Sequence, residues 1–150
     1  MKPPAEAARL LAAAALGAAC GAHAAEFRAV GESAAVLYDA PSKAATPLYV
    51  VQRHYPLEVI VDLQAWVKVR DHTGALSWIE GRALAARRMV VVVAVTAEAR
   101  VRPEDTAPVA FVAAQNVSLE LLEAAPGGWL RVRHADGANG YLRAALVWGG

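Results

Sequence analysis

The strongest constraint on this chain is that it contains one stretch twice, Trp66-Val67-Lys68-Val69-Arg70 and Trp129-Leu130-Arg131-Val132-Arg133. Each copy alternates apolar and basic residues at the side-chain period of a half-buried strand, and each begins with a tryptophan directly after a turn. The surroundings repeat as well. Leu57-Glu58-Val59-Ile60 returns as Leu119-Glu120-Leu121-Leu122 at an offset of 62, and Phe111 stands where Tyr49 does. Pro126-Gly127-Gly128 lengthens the turn before Trp129 by one residue and raises the offset to 63. From there Gly74 meets Gly137, Trp78 meets Tyr141 and Ile79 meets Leu142 without a gap. A repeat of this extent divides the 150 residues into two small modules.

Within a module the pattern is that of short strands. Ala34 to Tyr38, Pro47 to Val51, Leu57 to Asp62, the Trp66 stretch and Leu76 to Glu80 are apolar or alternating runs. Between them lie Asp39-Ala40-Pro41-Ser42-Lys43, Arg53-His54-Tyr55-Pro56, Leu63-Gln64-Ala65 and His72-Thr73-Gly74, rich in residues that favour turns. Five short strands in about fifty residues, with no helical period, predict an all-β fold of two tandem small antiparallel barrels. Ala25 to Glu32 reads as a lead-in, and Ala99 to Arg102 with Pro103 to Thr106 replaces the first strand and its loop in the second module. The run 87–95 reads as a connecting strand covered on both sides, flanked by Arg87 and Arg88. It lacks the Gly, Ser and Pro of a flexible tether, which predicts close packing between modules spanning 25–86 and 87–150.

The first 24 residues have a different character. Lys2 and Arg9 precede an alanine- and leucine-rich core, and Ala22-His23-Ala24 is a small-x-small cleavage site, the order of a secretory signal peptide. The apolar run is too short to span a bilayer, which takes roughly 20 residues. Cleavage near Ala24 places the mature chain, with no transmembrane segment of its own, in the periplasm or outside the cell. Cys20 opens a second address, since Gly17-Ala18-Ala19-Cys20 is similar to a lipoprotein box, although Leu16 stands one position too early.

Processing removes Lys2, Arg9 and Glu6, so the formal charge moves from +1 to about zero as two positive charges and one negative leave. A near-neutral chain argues against a nucleic-acid partner, whose affinity comes largely from neutralised phosphates. The leader also takes the only cysteine, so the modules hold by packing rather than by disulfides.

The residues also carry a family resemblance. A turn, then Trp-x-Lys/Arg-Val, then a glycine and Trp or Tyr before an aliphatic residue resembles the bacterial SH3 domain, in tandem over Ala34 to Trp148. Trp66, Val69, Gly74, Trp78 and Ile79 match in one copy, and Trp129, Val132, Gly137, Tyr141 and Leu142 in the other. The chain is similar in particular to exported SH3-domain proteins of Gram-negative bacteria. That resemblance implies an SH3-like barrel, an envelope location and binding of peptidoglycan or of an envelope protein. Ala35-Val36-Leu37-Tyr38-Asp39 further resembles the opening motif of eukaryotic SH3 domains, which bind proline-rich peptides. Their Pro-Ser-Asn-Tyr element is replaced here by Glu80-Gly81-Arg82-Ala83, and Arg102-Pro103 stands for Tyr38-Asp39 in the second copy, which argues against that ligand.

Nothing in the sequence requires a cofactor or a metal, and no catalytic residues are expected. The mature chain has no cysteine nucleophile, and His54, His72 and His134 fall in no metal-ligand pattern. His72 and His134 read as solvated turn residues and His54 as a surface loop residue. The serines lack a nucleophile-elbow context. Aromatics are the remaining binding equipment. Trp78 and Tyr141 read as barrel core, whereas Trp66 and Trp129, directly after turns, are either core or half-exposed platforms. Tyr55, Trp66, Trp129 and Arg53 are therefore the candidate ligand-binding residues, with Lys68 and Arg131 as further cations. Two functions follow: a non-enzymatic peptidoglycan-binding module, or an interaction module for an envelope protein.

Overall fold

A computed structural model of the protein describes residues 24–150. The expected leader, apart from Ala24, and Cys20 lie outside the described residues. The first sheet comprises β1 (Glu26–Val30), β2 (Ala34–Tyr38), β3 (Pro47–Gln52), β4 (Pro56–Asp62), β5 (Trp66–Arg70), β6 (Leu76–Glu80) and β7 (Leu84–Ala85). The second comprises β8 (Met89–Val92), β9 (Thr96–Arg100), β10 (Val109–Ala114), β11 (Ser118–Ala125), β12 (Trp129–Arg133), β13 (Asn139–Arg143) and β14 (Val147–Gly149). Their orders correspond, β3-β2-β6-β5-β4-β1-β7 and β10-β9-β13-β12-β11-β8-β14, and every pairing is antiparallel.

The five strands expected per copy are present, and two more flank them. The lead-in folds as β1, which bonds to β4 and β7 and buries Ala29 and Val30 completely. Its counterpart is β8, so the run 87–95 does more than connect: Met89–Val92 is the first strand of the second sheet, and all four residues are buried. Val90 and Val92 fill the second core. By alternation Met89 and Val91 point the other way, where β4 of the first sheet lies alongside. Coverage ends there, since Val95 is 79% exposed in the turn to β9. The two copies also meet where Phe27 stands edge-on to Trp148, 5.1 Å between ring centres.

Each copy has its own core. Val30, Leu37, Leu57, Val67, Val69 and Ile79 fill the first; Val92, Leu119, Val132 and Leu142 take corresponding places in the second. Ala99 replaces Leu37 there, and Phe111, unlike its exposed counterpart Tyr49, packs against the core. A larger residue thus offsets a smaller one at fixed fold, as core volume requires. A bulge recurs as well, at Ile60 in β4 and at Leu122 in β11, where the register with the next strand shifts.

Candidate functional site

Trp66 opens β5 directly after the turn at Leu63-Gln64-Ala65. Asp62 shapes that turn, accepting the Gln64 amide at 2.7 Å while Gln64 adopts φ +67°. The Gln64 amide and the Arg28 guanidinium hold the Asp62 carboxyl below its ordinary range. Opposite lies the loop between β2 and β3, braced by Asp39 accepting the Thr46 amide at 3.0 Å and by Ser42 accepting that of Ala44 at 3.1 Å. Between loop and turn runs a groove of about 560 Å³, with Trp66 flanked by Pro41, Lys43, Glu80 and Arg82. Lys43 Nζ lies 3.4 Å from Glu80, and Arg82 Nε donates to the same carboxylate oxygen at 2.9 Å. These cations depress the Glu80 pKa.

Trp66 remains half-buried, with Tyr38 edge-on at 5.5 Å. Tyr38 is paired with Trp78, and Trp78 with Lys68, whose ammonium lies 5.9 Å from the indole centre. An aromatic row with a cationic end therefore continues from the groove across the outer face of the sheet. This corrects the core reading of Trp78 and Tyr141: both are half-buried, because alternation sends Ile79 and Leu142 inward. The second row reads Arg100, Tyr141, Arg131. Arg100, rather than the expected Arg102, is thus the counterpart of Tyr38.

Trp129 has a different fate from Trp66. It is 5% exposed, and the Arg143 guanidinium lies over its ring at 4.1 Å. Arg143 is held there by Asp105 at 2.5 Å and by the Gly127 carbonyl, to which it donates at 3.0 Å.

The other two candidates lie away from the Trp66 groove. Tyr55 is half-buried against the first core, its hydroxyl 2.5 Å from His72 Nδ1, and burial raises its pKa. Arg53 is exposed and donates to Ser33 Oγ at 3.4 Å. Both border a cleft between the copies of about 580 Å³, which Asn116, Val117 and Ser118 line from the other side. His72 and His134 are half-buried rather than solvated, His134 lying 3.0 Å from Asp136. Lys43, Glu80, Arg82, Asp105 and Arg143 were not among the expected site residues. A signal was available in the repeat, since Lys43 aligns with Asp105 and Glu80 with Arg143 and the sign of charge reverses at both.

His54 adopts φ +71° at the cleft, with its Nε2 3.3 Å from Arg87 Nη1. Burial, then Arg87 and Arg53, lower its pKa from 6.5, and Glu120 opposes them. The unfolded chain takes up this proton near pH 6.5 and the folded chain only at lower pH. The corresponding stability is complete above that value and is lost as pH falls through the folded pKa. His54→Asn tolerates the left-handed backbone and cannot titrate. Urea unfolding midpoints between about pH 7.5 and 5 should fall less for this variant than for the parent. Equal slopes would reject the assignment. Glu120, held down chiefly by Arg133, acts in a separate window, its stability present above 4.5 and lost as pH falls through the lower folded value.

Among the described residues, no group of three or more His, Cys, Asp or Glu side chains is placed to hold a metal ion. No described helix is long and apolar enough to cross a membrane.

Comparison with known proteins returns no matching curated protein. Similar solved structures include NlpC2 from Trichomonas vaginalis, at 15% identity over 83% of this chain and 48% of that one, with a TM-score of 0.38. NlpC1 from the same organism gives 16%, 91%, 50% and 0.39, and an NlpC/P60 family protein from Bacillus cereus 17%, 83%, 56% and 0.38. The chain spans about half the length of these structures. The family model described as bacterial SH3 domain matches twice, at residues 31–85 and 93–149, one match on each sheet. With most of its length so matched, the chain belongs to the bacterial SH3 domain family and carries the domain in tandem.

Proposed function

We propose that this protein is a non-enzymatic binding module of the bacterial cell envelope and that it holds peptidoglycan in the groove of the first copy. The observation that carries this reading is the half-buried indole of Trp66, standing in an open groove with Lys43 and Arg82 at its rim. Sugar rings dock on aromatic faces, and the carboxylates of a wall peptide pair with amines and guanidiniums. The leader at residues 1–24 supports delivery to the envelope.

The test is co-sedimentation of the mature protein, Ala25 to Gly150, with purified insoluble peptidoglycan at low and moderate salt. Saturable pelleting is expected at both, and Trp66→Ala should weaken it roughly tenfold, as removal of a central aromatic anchor does. A folded sample that stays in the supernatant would sink the wall reading.

One feature favours a protein partner as the second reading. Strand β3 lies at the end of its sheet and exposes Leu48 (41%), Tyr49 (58%) and Val50 (68%). An unpaired edge of this kind accepts a partner strand.

A further inference from the structure

The two copies carry ion pairs of opposite orientation beside equivalent tryptophans, Trp66 and Trp129. In the first, the loop supplies the cation, Lys43, and the end of the strand supplies the anion, Glu80. In the second, the loop supplies the anion, Asp105, and the strand the cation, Arg143. The loops are otherwise built alike: the amide of Ala45 donates to the Ser42 carbonyl and that of Ala107 to the Glu104 carbonyl, both at 3.1 Å. The reversal therefore exchanges charges on a common frame.

Its consequence follows from the shape and sign of the two end groups. A guanidinium is planar and cationic and is attracted to the negative face of an indole, whereas a carboxylate is not. Arg143 lies over Trp129, tied down by Asp105 on one side and by the Gly127 carbonyl on the other. Glu80 turns to Lys43 and Arg82, and among the described residues no cation lies over the Trp66 ring. The same difference accounts for the exposures, 5% for Trp129 and half-buried for Trp66.

We infer that Arg143 is a built-in occupant of the second groove, so that a protein with two SH3 domains has one open binding site, in the first copy. The identity of the ligand rests on the peptidoglycan reading; the closure of the second groove does not. Asp105 and Arg143 decide which copy binds, and Trp129 serves the fold.

Two measurements test this separately. In NMR spectra of the unaltered mature protein, nuclear Overhauser contacts are expected between the Trp129 indole protons and the Arg143 side chain, whose methylene signals should be shifted upfield by the ring. Absence of both effects in the folded protein would overturn the closure, whatever the ligand. In co-sedimentation with purified peptidoglycan, folded Trp66→Ala should lose binding roughly tenfold, whereas folded Arg143→Gln, which removes the occupant of the second groove, should not weaken binding. If Trp66→Ala fails to fold, Lys43→Ala with Arg82→Ala replaces it, with the same loss expected. Undiminished pelleting of the first-groove variant would show that the second copy binds, and would overturn the single-site inference. If the parent protein itself does not pellet, the wall reading fails and the NMR contact alone decides occupancy.

Discussion

Replacing Trp129 with alanine is expected to lower stability by about 3 to 5 kcal/mol, the cost of deleting a buried tryptophan and leaving a cavity. The side chain is 5% exposed and is covered by Arg143, so its removal also strands a guanidinium that now lies on the ring. For a module of this size the melting temperature of the second copy should drop on the order of 15 °C or more. The companion change, Trp66→Ala, should cost no more than about 2 kcal/mol, because Trp66 is half-buried with its main aromatic contact on Tyr38. Calorimetry on the two variants checks the contrast directly. Equal losses, or a greater loss at Trp66, would contradict the assignment of one tryptophan to structure and the other to the ligand.

Gly81→Ala should destabilise the first copy by about 3 kcal/mol or more, at or beyond the upper end of ordinary overpacking costs. A Cβ there would stand 1.9 Å from the Gln64 carbonyl oxygen. The segment is also tied to that turn, since the Gly81 amide donates to the Ala65 carbonyl at 2.8 Å. Relief therefore means moving the turn that forms one wall of the Trp66 groove, and peptidoglycan pelleting should fall with stability. The second copy carries Ala144 at this place, bonded in the same manner to the Gly128 carbonyl at 2.9 Å. Its turn is one residue longer and contains Gly127 and Gly128 at φ +76° and +77°, a conformation that glycine adopts without a steric penalty. The extra residue accommodates the methyl group. Ala144→Gly should accordingly cost less than about 1 kcal/mol. A thermal melt of Gly81→Ala that superimposes on the parent would refute the clash.

These expectations rest on features of unequal legibility. The tandem repeat, the all-β class and the five strands β2 to β6, with their repeats β9 to β13, were readable because alternation and turn residues are local properties of the chain. Leu57, Val69 and Ile79 sit in the core as their pattern requires. The strands that precede these five in the chain, β1 and β8, were harder to read. Glu26–Val30 is a short, weakly apolar segment, and it is a strand because β4 and β7 bond to its two edges. Size alone places Trp78 and Tyr141 inward, whereas the phase of alternation, set by Ile79 and Leu142, turns them outward.

The candidate site shows the same division at finer scale. Chain order alone marked Trp66 and Trp129 as equivalent, and marked the reversal of charge between Lys43 and Asp105 and between Glu80 and Arg143. It could not tell that one tryptophan would be covered and the other left open. That outcome depends on Arg143 meeting Asp105 across 38 residues of chain and on both converging at the face of Trp129. Local pattern determines which side chains alternate and where the chain turns, because neighbours in sequence are sufficient for both. Which aromatic face stays free is decided by groups brought together only when the strands pair and the loop folds back over them.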